Sequence, residues 1–161
     1  MAGCSTNRLP ESWRPLKQLV ERGGLPGVGG DVVTTISPNL YVRDIDKWLE
    51  DYPEGSIQHE ALRRHEVEHA KEQEAFIDGA TGMKRTIKMG KWISAYLRDK
   101  DFRWAVEKRG YKAEIQYERS RGIHYPAAFY AQILSGPTYN NMVSYEEALE
   151  WVINVFNGRA L

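Results

Sequence analysis

The longest regular pattern in the chain is helical and runs from Ser56 to Ile77. Apolar residues recur there at helical spacing among charged ones, at Ile57, Ala61, Leu62, Ala70, Phe76 and Ile77. Ser56 is a favourable N-cap residue, no proline interrupts residues 57–80, and Gly79 and Gly82 supply a stop signal. The pattern therefore predicts one long amphipathic helix.

A small β-hairpin is predicted ahead of this helix. Residues 31–36 are rich in β-branched side chains, Ser37, Pro38 and Asn39 are turn formers, and residues 40–43 resume an extended pattern. An exposed strand beside the long helix could pair with an extended peptide by strand addition, although the alternative is an ordinary covering sheet.

Prolines and glycines dominate the first thirty residues of the chain. Residues 1–30 are therefore expected to form an N-terminal arm, in which the short amphipathic segment at residues 16–22 predicts one helix. Either Asp44 or Asp46 is expected to cap a further short helix that contains Trp48 and ends before Pro53.

The chain after the long helix is also mainly helical in pattern. Residues 79–90 predict a loop with four basic side chains, residues 92–97 and 102–121 have helical spacing, and Pro126 favours a short helix at residues 127–134. A capping box, Ser144 with Glu147, predicts the last helix. The expected fold class is α+β and mainly helical, with residues 31–161 as a single domain.

Composition narrows the possible partners. The 161 residues include 22 basic and 22 acidic side chains, so no net charge favours nucleic acid or an anionic membrane. No apolar run reaches transmembrane length. The single cysteine, Cys4, cannot form an internal disulfide and fits a reducing compartment. A cytoplasmic or virion-associated location is expected, and Cys4 would be a lipid anchor only if the natural chain began upstream of Met1.

The chemistry of the long helix lies in the motif H-E-x-x-H, formed by His65, Glu66 and His69. Histidines four residues apart project from one helix face, about 40° apart around the axis. Zn²⁺ accepts two such imidazoles, one further protein ligand and a water, and Glu66 would stand beside the metal as the base for that water. The alternative is a polar helix whose histidines face solvent.

A third zinc ligand must come from another segment. The metzincin pattern would place a histidine six residues after His69, but that position is Ala75, and Glu72 replaces the expected glycine. A glutamate on a later helix is the other possibility. Glu114 and Glu118 are four residues apart on one predicted face, so one could bind metal while the other supports His65 or His69.

With these motifs, residues 31–121 resemble the gluzincin branch of zinc metallopeptidases and, more loosely, the small H-E-x-x-H proteins of bacteria and their phages. The resemblance implies a zincin-like domain in which a small sheet packs on the motif helix and a glutamate-bearing helix follows. It implies His65, His69 and Glu114 as zinc ligands, Glu66 as general base and acid, and Glu118 in support of a ligand histidine. Glu118 departs from the family pattern, which usually has aspartate there.

The sequence leads us to expect a zinc-dependent peptidase acting on a peptide or protein substrate. His124 is the preferred candidate to stabilise the oxyanion, ahead of Tyr125, Tyr117 and Arg121. One alternative is a zinc-binding assembly protein, such as a phage particle component, with little or no proteolytic activity. Another is a regulatory protease that cuts one protein partner.

Overall fold

The computed structural model describes residues 6–8, 13, 16–21 and 33–159, with residues 6–8 described by their backbone alone. The described strands are β1 (Thr6–Arg8), β2 (Gln18–Glu21), β3 (Thr34–Ile36) and β4 (Asn39–Val42). The described helices are α1 (Ile45–Asp51), α2 (Ile57–Ile77), α3 (Gly82–Arg98), α4 (Lys100–Ser120), α5 (Ala127–Ser135) and α6 (Tyr145–Phe156), with a 3₁₀ turn at Pro137–Tyr139. The predicted α+β class with mainly helical content is confirmed.

The sheet joins local and distant strands. Its order is β1-β2-β4-β3, with β3 and β4 forming the predicted antiparallel hairpin and β2 running parallel to β4. Among the described strands, β3 therefore lies at one edge. Most of the predicted arm, including Cys4, lies outside the described residues.

Two local predictions are wrong. The segment at residues 16–22 contains strand β2 instead of a helix, because Leu19 and Val20 are buried when β2 pairs with β4. The segment at residues 79–90 is mostly helical, since α3 begins at Gly82. Its basic residues contact the end of α2: Lys88 Nζ donates to the Ile77 carbonyl at 2.8 Å, which suits the negative end of that helix dipole.

The predicted helix caps are confirmed. The Ser56 side chain accepts from the His59 amide at the start of α2, and the Ser144 side chain accepts from the Glu147 amide at the start of α6. Asp44 caps α1. None of the helices in the described part of the chain is both long and apolar enough to cross a membrane.

The hydrophobic core consists of two clusters on either side of α2 and α4. One cluster joins the sheet, α1 and α2 through residues such as Trp13, Leu40 and Trp48, and the other joins α4, α5 and α6 through residues such as Ile115, Tyr130 and Val152.

Helix α2 also buries a polar face, which is unusual for a core helix. Its buried polar residues are His59, His65, Glu66, His69 and Gln73. Burying such groups is costly unless each finds a partner, so this face is where the structure concentrates its chemistry.

Gln73 fixes strand β3 against α2. The Gln73 side chain is fully buried; its Nε2 donates to the Thr35 carbonyl and its Oε1 accepts from the Ser37 amide, both at 2.8 Å. The Thr35 carbonyl and the Ser37 amide are two residues apart and both face α2. Gln73 therefore supplies the hydrogen-bond partners that a further strand would otherwise provide at this edge of the sheet.

Replacing Gln73 should destabilise the fold. Gln73→Ala leaves a buried carbonyl and a buried amide without partners, so we expect the free energy of unfolding to fall by about 2 kcal/mol in urea denaturation. Gln116→Ala, at an exposed position of α4, is the matched control and should change stability by less than about 0.5 kcal/mol. Equal effects of the two substitutions would contradict this role for Gln73.

Candidate metal centre

The three motif residues lie on the buried face of α2. His65 and Glu66 are each 4% exposed and His69 is 8% exposed. The two imidazole rings are 4.7 Å apart between centroids and nearly perpendicular, as expected for positions one helical turn apart. The sequence alternative of histidines on a solvent-facing surface is therefore excluded.

Glu107 of α4 completes a three-residue group with these histidines. The distance from Glu107 Oε2 to His65 Nε2 is 3.4 Å, and from Glu107 Oε1 to His69 Nε2 it is 3.7 Å. His65, His69 and Glu107 each offer a ligand atom, and these atoms lie within 4.8 Å of one another. All three side chains are buried, with Glu107 only 2% exposed.

Glu114 does not occupy the predicted ligand position. Glu114 Oε2 lies 2.6 Å from His65 Nδ1, the ring nitrogen that faces away from Glu107. Glu107 and Glu114 are seven residues apart and share one face of α4, but the axial position of α4 along α2 places Glu107 at the two Nε2 atoms. The prediction is corrected: Glu107 joins the group, and Glu114 orients His65.

The predicted roles of Glu118 and His124 are also corrected. Glu118 is buried, but its partner is the Tyr130 hydroxyl, which donates to Glu118 Oε2, and neither imidazole contacts it. Glu118 lies one helical turn further along α4 than Glu114 and is therefore beyond the histidines. His124 is exposed in the connection between α4 and α5 and lines neither cavity beside the centre.

Gly110 was the sequence signal that could have identified Glu107. A Cβ atom at position 110 would lie 2.6 Å from both Cδ2 and Nε2 of His65, so only glycine permits this close approach. A glycine inside a helix normally costs stability and indicates a packing reason. Glu107, Gly110 and Glu114 share one face of α4. The glycine therefore indicates the face that packs against α2, and that face carries both glutamates.

The spacing of the donor atoms fits a metal ion better than direct hydrogen bonds. Separations of 3.4 and 3.7 Å exceed the ordinary hydrogen-bond range of about 2.7–3.2 Å. Ligands about 2.0–2.1 Å from a tetrahedral Zn²⁺ are about 3.3 Å apart, close to what is found here. Glu107 Oε2 is buried and accepts no hydrogen bond from the described residues. The residues present could therefore hold a metal ion.

The pKa values of the two histidines in this group are shifted in opposite directions. Burial by itself would lower the pKa of His65, but the neighbouring carboxylates of Glu107 and Glu114 outweigh it and raise that pKa well above its ordinary value. Burial lowers the pKa of His69 to about 4. These opposite shifts favour a proton on His65 over one on His69, and metal binding would displace it, since an imidazole binds a metal in its neutral form.

Glu66 stands beside the group in a different environment. Burial raises the pKa of Glu66 to about 7, although the nearby His65 charge opposes the shift. Thr35 of β3 donates its hydroxyl to Glu66 Oε2 at 2.6 Å and so fixes the carboxylate while engaging only one oxygen. A carboxylate with this pKa can accept and release a proton near neutral pH.

A cavity of about 430 Å³ opens onto the centre. Strand β3 forms one wall, and apolar side chains of α3 and the 3₁₀ turn form others. Tyr96 donates its hydroxyl to Glu107 Oε1, whereas the Tyr139 hydroxyl lies 3.1 Å from that of Tyr111. Burial raises the pKa of both Tyr96 and Tyr139 well above the ordinary value, so these hydroxyls stay protonated.

Comparisons with known proteins give no relative for this chain: no family model, curated protein or solved structure matches it. The chemistry of the centre therefore has to be argued from its own geometry.

Zinc content should distinguish the two glutamates. Glu107→Gln removes a charged ligand atom and should abolish stoichiometric zinc, whereas Glu114→Gln keeps all three ligand atoms and should weaken zinc binding by about tenfold to a hundredfold. Metal per chain and competition with a chelator measure both effects. Full zinc retention by Glu107→Gln, with loss in Glu114→Gln, would restore Glu114 as the ligand.

Gly110→Ala tests the close approach of α4 to His65. The added methyl group must displace the imidazole, so we expect zinc affinity to fall by at least about tenfold. Gly90→Ala is the matched control, since a Cβ there meets nothing within 4 Å; it should leave zinc affinity unchanged and stabilise the helix by about 0.5–1 kcal/mol. Chelator competition and thermal unfolding measure the pair, and unchanged zinc affinity in Gly110→Ala would contradict the packing argument.

Proposed function

We propose that this protein is a zinc-dependent peptidase with His65, His69 and Glu107 as metal ligands and Glu66 as general base. The observation that carries the proposal is the combination of three buried ligand atoms with the Glu66 carboxylate, which Thr35 holds at the edge of an open cavity. The motif H-E-x-x-H alone would not carry it, since zinc sites with other roles also use histidines.

The number of ligands favours catalysis over a purely structural site. Structural zinc sites generally use four protein ligands, whereas catalytic sites use three and keep one position for water. The group found among the described residues has three members and adjoins a cavity large enough for a peptide segment. A protein that used zinc only for assembly would need neither the cavity nor Glu66 beside the metal.

When bound, Zn²⁺ would supply Lewis acidity, polarising the scissile carbonyl and lowering the pKa of a bound water. Glu66 would serve as general base and then as general acid, holding the proton on its carboxylate until the leaving amine takes it, and Thr35 keeps that carboxylate in position. Glu114 holds the His65 ring so that Nε2 faces the metal. We assign the oxyanion to the Tyr139 hydroxyl in place of His124, because Tyr139 lines the cavity and its present partner, the Tyr111 hydroxyl, is neutral, whereas the Tyr96 hydroxyl is held by the Glu107 carboxylate.

Strand β3 is the proposed guide for the substrate backbone. Residues 33–36 line the cavity consecutively, and β3 is at an edge of the described sheet. An extended peptide lying along β3 would pass the motif residues, because Thr35 contacts Glu66 directly. Gln73 already engages the Thr35 carbonyl and the Ser37 amide, so β3 acts here as a wall of the cavity and does not pair with the peptide at those two groups. Gln73 keeps the strand at this distance from α2.

Two substitutions that spare the metal ligands test the peptidase. Zinc-loaded wild type should cleave peptides from a mixed library; Glu66→Gln should retain zinc and lose detectable cleavage, and Tyr139→Phe should lower kcat by about a hundredfold with little change in zinc content. Mass spectrometry of the products and metal analysis measure these outcomes. A zinc-loaded wild type that cleaves neither the library nor itself would refute the proposal.

A further inference from the structure

A second cavity, of about 340 Å³, adjoins the metal centre. It shares Val33, His65, Glu66, Thr138 and Tyr139 with the first cavity, but its remaining walls come from α2, α4 and α5 together with residues that follow α1 and α4. A peptide that occupied both cavities would therefore pass the H-E-x-x-H residues. The second cavity is positioned to receive a substrate group on one side of the bond that is cut.

Two carboxylates line this second cavity, and one oxygen of Glu118 is left free of hydrogen bonds to the described residues. Glu118 is only 5% exposed, yet the Tyr130 hydroxyl engages Oε2 alone, and Oε1 has no hydrogen-bond partner among the described residues. Glu114 also lines the cavity and uses Oε2 for His65. The described lining contains no lysine or arginine, and Glu118 forms no ion pair within the described part of the chain.

A purely structural role does not require a carboxyl group at position 118. Burial, followed by the negative charge of Glu114, raises the pKa of Glu118, although the Tyr130 hydrogen bond opposes this. A glutamine at this position would accept the same hydrogen bond from Tyr130 without the cost of burying a carboxylate. A carboxylate held at this cost next to a catalytic centre is suited to pair with a cation from outside the chain.

The other walls of the cavity have the chemistry that accompanies a bound cation. Tyr52, Tyr111, Tyr125, Phe129 and Tyr130 all line it. Aromatic faces attract guanidinium and ammonium groups, and they also accommodate the methylene groups of arginine and lysine side chains. The first cavity differs, since its lining already includes a cationic side chain, Arg103.

We infer that the second cavity is a specificity subsite for a cationic group of the substrate, with Glu118 as the residue that pairs with it. This rests on the proposed peptidase function and adds the class of substrate. The cation is the side chain of an arginine or lysine next to the scissile bond, or the free amino terminus of the peptide. These two sources share the chemistry of a positively charged nitrogen group, and the experiment separates them.

The test measures binding to the zinc-loaded Glu66→Gln protein, so that turnover does not interfere. Three probes are compared by calorimetry: N-acetyl-arginine methylamide, the neutral isostere N-acetyl-citrulline methylamide, and alanine methylamide with a free amine. We expect the arginine probe, or the free amine if the terminus is the source, to bind at least about tenfold more tightly than the citrulline probe. Equal affinity for all three would overturn the inference.

A pair of further substitutions, each combined with Glu66→Gln, assigns the preference to the carboxylate. Glu118→Gln keeps an acceptor for Tyr130 and should remove the preference for the cation. Tyr130→Phe keeps the Glu118 charge while removing the hydrogen bond, and should retain that preference. A preference that survives Glu118→Gln would overturn the role of Glu118, and the three-probe comparison remains decisive even if that variant fails to fold.

Cleavage assays separate failure of this inference from failure of the peptidase proposal. If wild type cleaves matched peptides with arginine or citrulline at equal kcat/KM, and amino-terminal acetylation has no effect, the peptidase stands and the cationic subsite falls. If wild type cleaves nothing but Glu118-dependent cation binding persists, the peptidase falls and the cavity remains a cation-binding site.

Discussion

Helices α2 and α4 pack so closely at Gly110 that the imidazole of His65 lies where a larger residue would place its own side chain. The rest of the candidate centre depends on this contact. It sets the axial position of α4 along α2, and thereby places Glu107 at the Nε2 atoms of both histidines and Glu114 at Nδ1 of His65. A single pair of helices therefore supplies the ligands and the carboxylate that orients one of them.

The cost of this arrangement is visible in the polar face of α2. Histidines, a glutamate and a glutamine occupy positions where an ordinary core helix would carry leucine or valine. Each of Glu66, His65 and Gln73 has a specific partner: Thr35, Glu114 and the backbone of β3, respectively. Departures from the usual apolar pattern are expected at functional sites, where stability is exchanged for chemistry.

The features that could be predicted from the sequence are those determined by neighbouring residues. Helix α2, the β3–β4 hairpin and the Ser144 capping box each depend on interactions within a few positions of the chain. Strand β2 was mistaken for a helix because its conformation is set by pairing with β4, about twenty residues away. The choice between Glu107 and Glu114 failed for a similar reason: both lie on the correct face of α4, and only the packing at Gly110 decides which one reaches the histidines.

The ligands come from two helices alone, and this has a consequence for how the protein could diversify. The sheet, α3, α5 and the 3₁₀ turn form the cavity walls but contribute no ligand atom to the group. Substitutions in those walls would change which molecules fit while leaving coordination intact. For the proposed peptidase, this separation means that changes in the cavity walls could alter the substrate range while the α2–α4 pair keeps its three candidate ligand atoms.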